Sequence, residues 1–139
     1  MTTEIVEHVE TYALIFRHSL KAEGVKFLTP PDYTLQLGLI EHPAGKEIKD
    51  HIHRQDIKYN VDTTQEFLYI EAGSIEVTIY TNNWKIVKKT ILNAGDFILF
   101  TGGGHGLKVI KKCRIIEIKQ GPYPGDQNAK IYRDGVHNH

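Results

Sequence analysis

From residue 66 to residue 119 the chain alternates apolar and polar positions with the two-residue period of a β-strand. Glu66-Phe67-Leu68-Tyr69-Ile70-Glu71 forms the first clear strand, and Ala72-Gly73 reads as the turn that ends it. Ser74 to Tyr80 alternates next, placing Ile75, Val77 and Ile79 on one face. Thr81-Asn82-Asn83 turns the chain and Trp84 to Leu92 returns. Asn93-Ala94-Gly95-Asp96 turns again into Phe97-Ile98-Leu99-Phe100. After the glycine-rich run Gly102 to Gly106, two further strands are predicted, Leu107 to Lys111 and Arg114 to Lys119. Short strands separated by turn residues predict an all-β fold, an antiparallel sandwich or barrel.

Upstream the pattern is mixed. Ile5, Val9, Tyr12 and Phe16 fall at helical spacing, while Thr11 to Arg17 fits a strand equally well. Val25 to Leu28 is short and β-like, and Pro30-Pro31-Asp32 breaks the chain. Tyr33 to Ile40 reads as a strand, followed by a turn at His42-Pro43-Ala44-Gly45. Lys46 to Arg54 reads as the next strand, and Gln55 to Gln65 is polar and irregular, the longest predicted loop.

Composition narrows the function classes. A chain of 139 residues fits one domain with a core of its own. Seventeen basic residues balance seventeen acidic ones, so no bulk field draws nucleic acid or an anionic membrane. No basic patch or helix-turn-helix pattern speaks for a DNA-binding regulator. The single cysteine, Cys113, rules out an intrachain disulfide framework. The longest apolar runs, Ala13 to Phe16 and Phe97 to Phe100, are too short to span a bilayer. The start Met1-Thr2-Thr3-Glu4 lacks the features of a signal peptide, so a cytoplasmic protein is expected.

The candidate chemistry centres on Asp50-His51-Ile52-His53. On a strand, His51 and His53 point to the same side and their ring nitrogens can converge on one ion. Glu66, heading its strand, and His105, after the glycine run, can close such a site. Three imidazoles and one carboxylate suit a divalent transition metal: Fe, Mn, Zn, Ni or Co. If Glu66 points inward, so do Leu68 and Ile70; inward parity after His105 gives Leu107 and Val109, an apolar wall. His137-Asn138-His139 repeats the His-x-His spacing in a tail with no strand pattern and is expected to be a bystander. The glycines at 102 to 104 lack the Lys-Ser/Thr of a phosphate loop and are read as a tight turn.

These motifs resemble those of the cupin superfamily. Gly45, five residues and His51-Ile52-His53 look like the first half of the first cupin motif, and Glu66, six residues and Gly73 like its second half. Gly95, five residues and Thr101-Gly102-Gly103-Gly104-His105 resemble the second motif. Twelve residues separate His53 from Glu66, a longer interval than the family pattern has. The run around His105, with Glu117 to Tyr123 later, is similar to small single-domain bacterial cupins of unassigned activity. The resemblance covers residues 33 to 123. It implies a jelly-roll barrel of two antiparallel sheets over that range, with residues 1–32 packing on it as an extension and residues 124–139 forming a tail. It implies a metal at the barrel mouth held by His51, His53, Glu66 and His105. The activity implied is that of an enzyme on a small oxygenated metabolite, an isomerase or epimerase, lyase or dioxygenase, with sugars among the substrates. The alternative is a non-catalytic metal-containing module that binds or senses a small molecule, such as a carbohydrate. Gln36, Gln55, Lys119 and Tyr123 are secondary candidates for contact with substrate, water or a ligand. A homodimer is expected, because barrel edge strands are commonly covered by a partner.

Overall fold

The computed structural model describes residues 3–134. The chain builds eight strands: β1 (Glu4–His8), β2 (Glu10–Phe16), β3 (Gly24–Phe27), β4 (Gly38–Glu41), β5 (Glu66–Tyr80), β6 (Ile86–Asn93), β7 (Phe97–Phe100) and β8 (Gly104–Lys119). One helical turn, α1 (Asp126–Ala129), follows. The architecture is all-β, as the alternation predicts. No helix among the described residues is long and apolar enough to cross a membrane.

Six strands form one antiparallel sheet in the order β1-β2-β7-β5-β6, with β8 on β5. One edge of β5 pairs with β8 along its whole length. Its other edge pairs with β7 over residues 66–69 and with β6 over residues 74–80. The sheet therefore curls over on itself into a half-barrel. The predicted turn at Ala72-Gly73 is a bend within one continuous strand. The two strands predicted between 107 and 119 are likewise one, β8, because β5 and β8 bulge together at residues 70–75 and carry their pairing through the bend. Gly73 is required there. Its φ is +81°, and a Cβ on it would lie 2.1 Å from the Lys112 carbonyl oxygen.

The choice left open at the N-terminus resolves to a strand. Val9, with φ of 70°, is the exposed tip of the β1–β2 hairpin, so the helical spacing through it has no packing partner. Residues Tyr12 to Phe16 are buried on both faces. Ala13 and Ile15 join the concave core with Leu68, Ile70, Ile75, Val77, Ile79, Ile98 and Phe100, while Leu14 and Phe16 pack with Leu20 and Leu99 on the convex side. A strand buried on both sides reads as a continuous apolar run, which explains why periodicity alone did not identify it. These residues are thus an integral strand of the sheet.

The β3–β4 hairpin and residues 28–37 cover the convex core. The strand predicted from Tyr33 to Ile40 is confined to Gly38–Glu41, since residues 33–37 bond to side chains: the Leu35 amide to Gln65 and the Leu37 amide to Thr29. The strand predicted from Lys46 to Arg54 does not form. Residues 46–65 contain no regular structure, and no described strand pairs with residues 46–54.

Candidate functional site

The bend in β5 and β8 brings opposite ends of each strand face to face. Antiparallel partners share a face. Glu66, Leu68 and Ile70 are registered against Lys119, Glu117 and Ile115; beyond the bend Ile75, Val77 and Ile79 match Val109, Leu107 and His105. Leu68 and Ile75 through Ile79 belong to the concave core, so all of these side chains face the hollow of the half-barrel. The inward parity read from Glu66 and from His105 holds.

At the rim of that hollow, His105 Nε2 donates to Glu66 Oε1 at 3.0 Å, with the two side chains 30% and 19% exposed. The His105 ring lies flat on Phe100, centroids 3.8 Å apart and planes 8° from parallel. Phe100 is the β7 partner of Glu66, so the stack sets the imidazole over the carboxylate. The Glu117 carboxyl hydrogen-bonds to Glu66, and Lys119 Nζ lies 3.6 Å from Glu117 and 4.7 Å from the Tyr123 ring centroid.

These contacts separate the two carboxyls. Burial opposes charge on Glu66, but hydrogen bonds from His105 and Glu117, with the positive charges of His105 and Lys119, outweigh it and hold its pKa down to about 2. Glu117 is raised above the ordinary carboxylate value by its hydrogen bond to Glu66, by burial and by the Glu66 charge, with Lys119 working the other way. A charged acceptor and a carboxyl that keeps its proton longer thus stand side by side.

His51 and His53 are together but elsewhere. Their rings touch edge to face, centroids 5.1 Å apart, and the Nδ1 of His51 bonds to the Lys49 carbonyl at 2.7 Å. Both are exposed on the irregular segment 46–65. The structure joins the four predicted ligands in two pairs and does not join the pairs. Among the described residues no group of three or more His, Cys, Asp or Glu is placed to hold one metal ion. Glu66 and His105 do fit as neighbouring ligands: donors bonded at roughly 2.1 Å to one ion, at about a right angle, lie about 3 Å apart.

Of the secondary candidates, Lys119 and Tyr123 border the cluster. Gln36 braces the convex cover through Thr29, Pro30 and Tyr33, and Gln55 bonds to the His53 carbonyl on the exposed segment. Glu117 was missed as a site residue. Its position two residues before Lys119, on the same face of the strand, is the signal that could have found it. His137 and His139 lie outside the described residues. Leu107 and Val109 face the hollow yet remain about half exposed, so the site is an open trough. Comparison with family models, with curated proteins and with solved structures finds no match to this chain.

Proposed function

We propose that the trough is the active site of a metal-dependent enzyme acting on a small oxygenated metabolite, with a mechanism of the cupin kind and a reaction of isomerase or epimerase type. The observation that carries this reading is the 3.0 Å meeting of Glu66 and His105, which come from opposite ends of a bent strand pair and from positions that the motifs single out.

Glu66 and His105 would hold a divalent ion, with His51 and His53 added when their segment closes on the trough. When bound, such an ion polarises a carbonyl or hydroxyl oxygen as a Lewis acid. The chain's own groups supply the rest. Phe100 fixes the plane of the His105 ring, as ligand-orienting contacts do. Leu107 and Val109 provide an apolar wall, and Lys119 places a cation where an oxygenated substrate carries negative charge. The Glu117 carboxyl, hydrogen-bonded to Glu66 and raised above the ordinary carboxylate value, is the group that would give or take a proton beside the ion.

Elemental analysis of untagged protein, purified without a metal-affinity column, tests the metal. About one ion per chain is expected, lost in His105→Ala and in a His51→Ala/His53→Ala double variant, and kept when residues 137–139 are deleted. Metal retained in the first two variants, or no uptake from Mn, Fe, Co, Ni or Zn, overturns the reading. Turnover is then sought in deuterium oxide with hydroxy-ketones, aldoses and hydroxy-acids. Deuterium exchange into one of them supports the enzyme. Stabilisation of the fold without exchange supports the binding or sensing module instead.

A further inference from the structure

Two parts of the chain lack partners of the same kind. The outer edge of β8, residues 104–119, pairs with no described strand. At roughly 3.3 Å per residue it is an edge about 50 Å long. Leu107, Val109, Ile110, Ile116 and Ile118 are exposed along it. Unpaired edges of this length and character are normally covered. Residues 46–58 carry the second deficit: a segment with no ladder and with Ile48, Ile52 and Ile57 exposed, Ile52 at 88%.

We infer that residues 46–58 dock as an added strand on the free edge of β8 and close the trough. Charge favours this segment over a second copy of the chain. β8 carries Lys108, Lys111, Lys112, Arg114 and Lys119 against Glu117 alone, so two β8 edges laid together set like charges opposite one another. The segment carries Glu47, Asp50 and Asp56 with Lys46, Lys49, Arg54 and Lys58, so it sets a net charge of +1, rather than a second +4, against β8. Tethering favours it as well. Seven residues beyond it the chain is held next to the end of β8, where the Gln65 amide donates to Gln120 Oε1 at 2.7 Å. A short tether gives an effective concentration of the order of millimolar, above that of a second copy at micromolar protein. In the docked strand His51 and His53 share one face, and Ile48 and Ile52 the other. The inference goes beyond the metal reading and stands without it, because no metal contact enters the closure.

Hydrogen exchange with a chelator present tests it, so a failed metal reading leaves the result intact. In the full chain, β8 amides directed away from β5 are expected to exchange at least tenfold more slowly than in Ile52→Pro, which removes a ladder donor from an exposed position. Equal rates in the two proteins overturn the proposal. So does protection that grows with protein concentration and survives in Ile52→Pro, which assigns the edge to a second copy. Cys113, the single cysteine, gives a second measurement. A short thiol cross-linker is expected to join it within one chain to at least one of Ile48→Cys, Ile52→Cys and Lys58→Cys. Cross-links only between chains, or none, overturn the closure.

Discussion

The imidazole of His105 lies flat against Phe100 while its Nε2 reaches Glu66. Phe100 is buried and also belongs to the concave core, so it serves packing and orientation together. Phe100→Leu keeps an apolar side chain but removes the flat face. It is expected to cost about 1 kcal/mol in urea unfolding, within the range of core swaps that roughly keep volume. The larger effect is expected in the imidazole nitrogen resonances of His105, which should move toward those of a freely rotating ring. Unchanged resonances would show that Glu66 alone orients the imidazole.

Two glycines separate requirement from tolerance along the curled strands. A Cβ at Gly73 meets the β8 backbone at 2.1 Å and must adopt a left-handed φ, whereas a Cβ at Gly106 meets nothing within 4 Å. Gly73→Ala is expected to destabilise by well over ~1 kcal/mol, because the β5–β8 bend must open. Gly106→Ala should change stability by less than about 0.5 kcal/mol. Thermal unfolding of both variants checks the contrast, and similar losses would mean that the bend does not depend on Gly73.

Much of this was legible in the chain itself, and the failures have physical causes. The alternation of Ile75, Val77 and Ile79 gave their face correctly, because one side of that strand is fully buried. The Ala72-Gly73 pair looks like a hairpin turn, since a glycine with positive φ serves a turn and a bulged bend equally well; only the pairing partner distinguishes them. His51 and His53 read as strand residues from local pattern, but a strand also needs a ladder, and no described strand pairs with residues 46–54. Glu66 and His105 were singled out by their motifs, and the inward parity read from each holds because both lie near the start of a strand that runs along the core.

Arg17 ties the N-terminal strands to β6 and the turn before β7. It pairs with Glu4 at 2.7 Å and Asp96 at 3.3 Å, and donates to the Ile91 carbonyl at 2.6 Å and to Thr90 at 3.0 Å. Asp96 is buried, but it keeps the amides of His18 and Asn93 as donors. Arg17→Met retains most of the stem and removes every one of these bonds. A loss of about 2 kcal/mol is expected in urea unfolding, in the range of hydrogen bonds to charged groups. Asp96→Asn in the Arg17→Met background should recover part of it, since the uncompensated buried charge is removed. No recovery would place the loss in the Glu4 and β6 contacts instead.

The two carboxyls of the trough should impose opposite pH trends on stability in metal-free protein. Glu66 has a folded pKa of about 2 against an ordinary 4.5, so the unfolded chain binds the proton more readily. Its contribution is present above pH 4.5 and is lost as pH falls toward 2. Glu117 is raised, so the folded chain binds the proton more readily, and its contribution is present below the unfolded value and lost as pH rises through the folded one. Glu66→Gln should therefore flatten the acid limb of a stability profile between pH 4.5 and 2. Glu117→Gln, which mimics the protonated carboxyl, should reduce the decline that begins above pH 4.5. Because the two groups share one hydrogen bond, each substitution also removes part of the other's shift, and the double variant should change the profile by less than the two single effects together. Urea midpoints measured from pH 2 to 7 on all four proteins check this. Strictly additive profiles would separate the carboxyls and leave the trough with Glu66 and His105 alone.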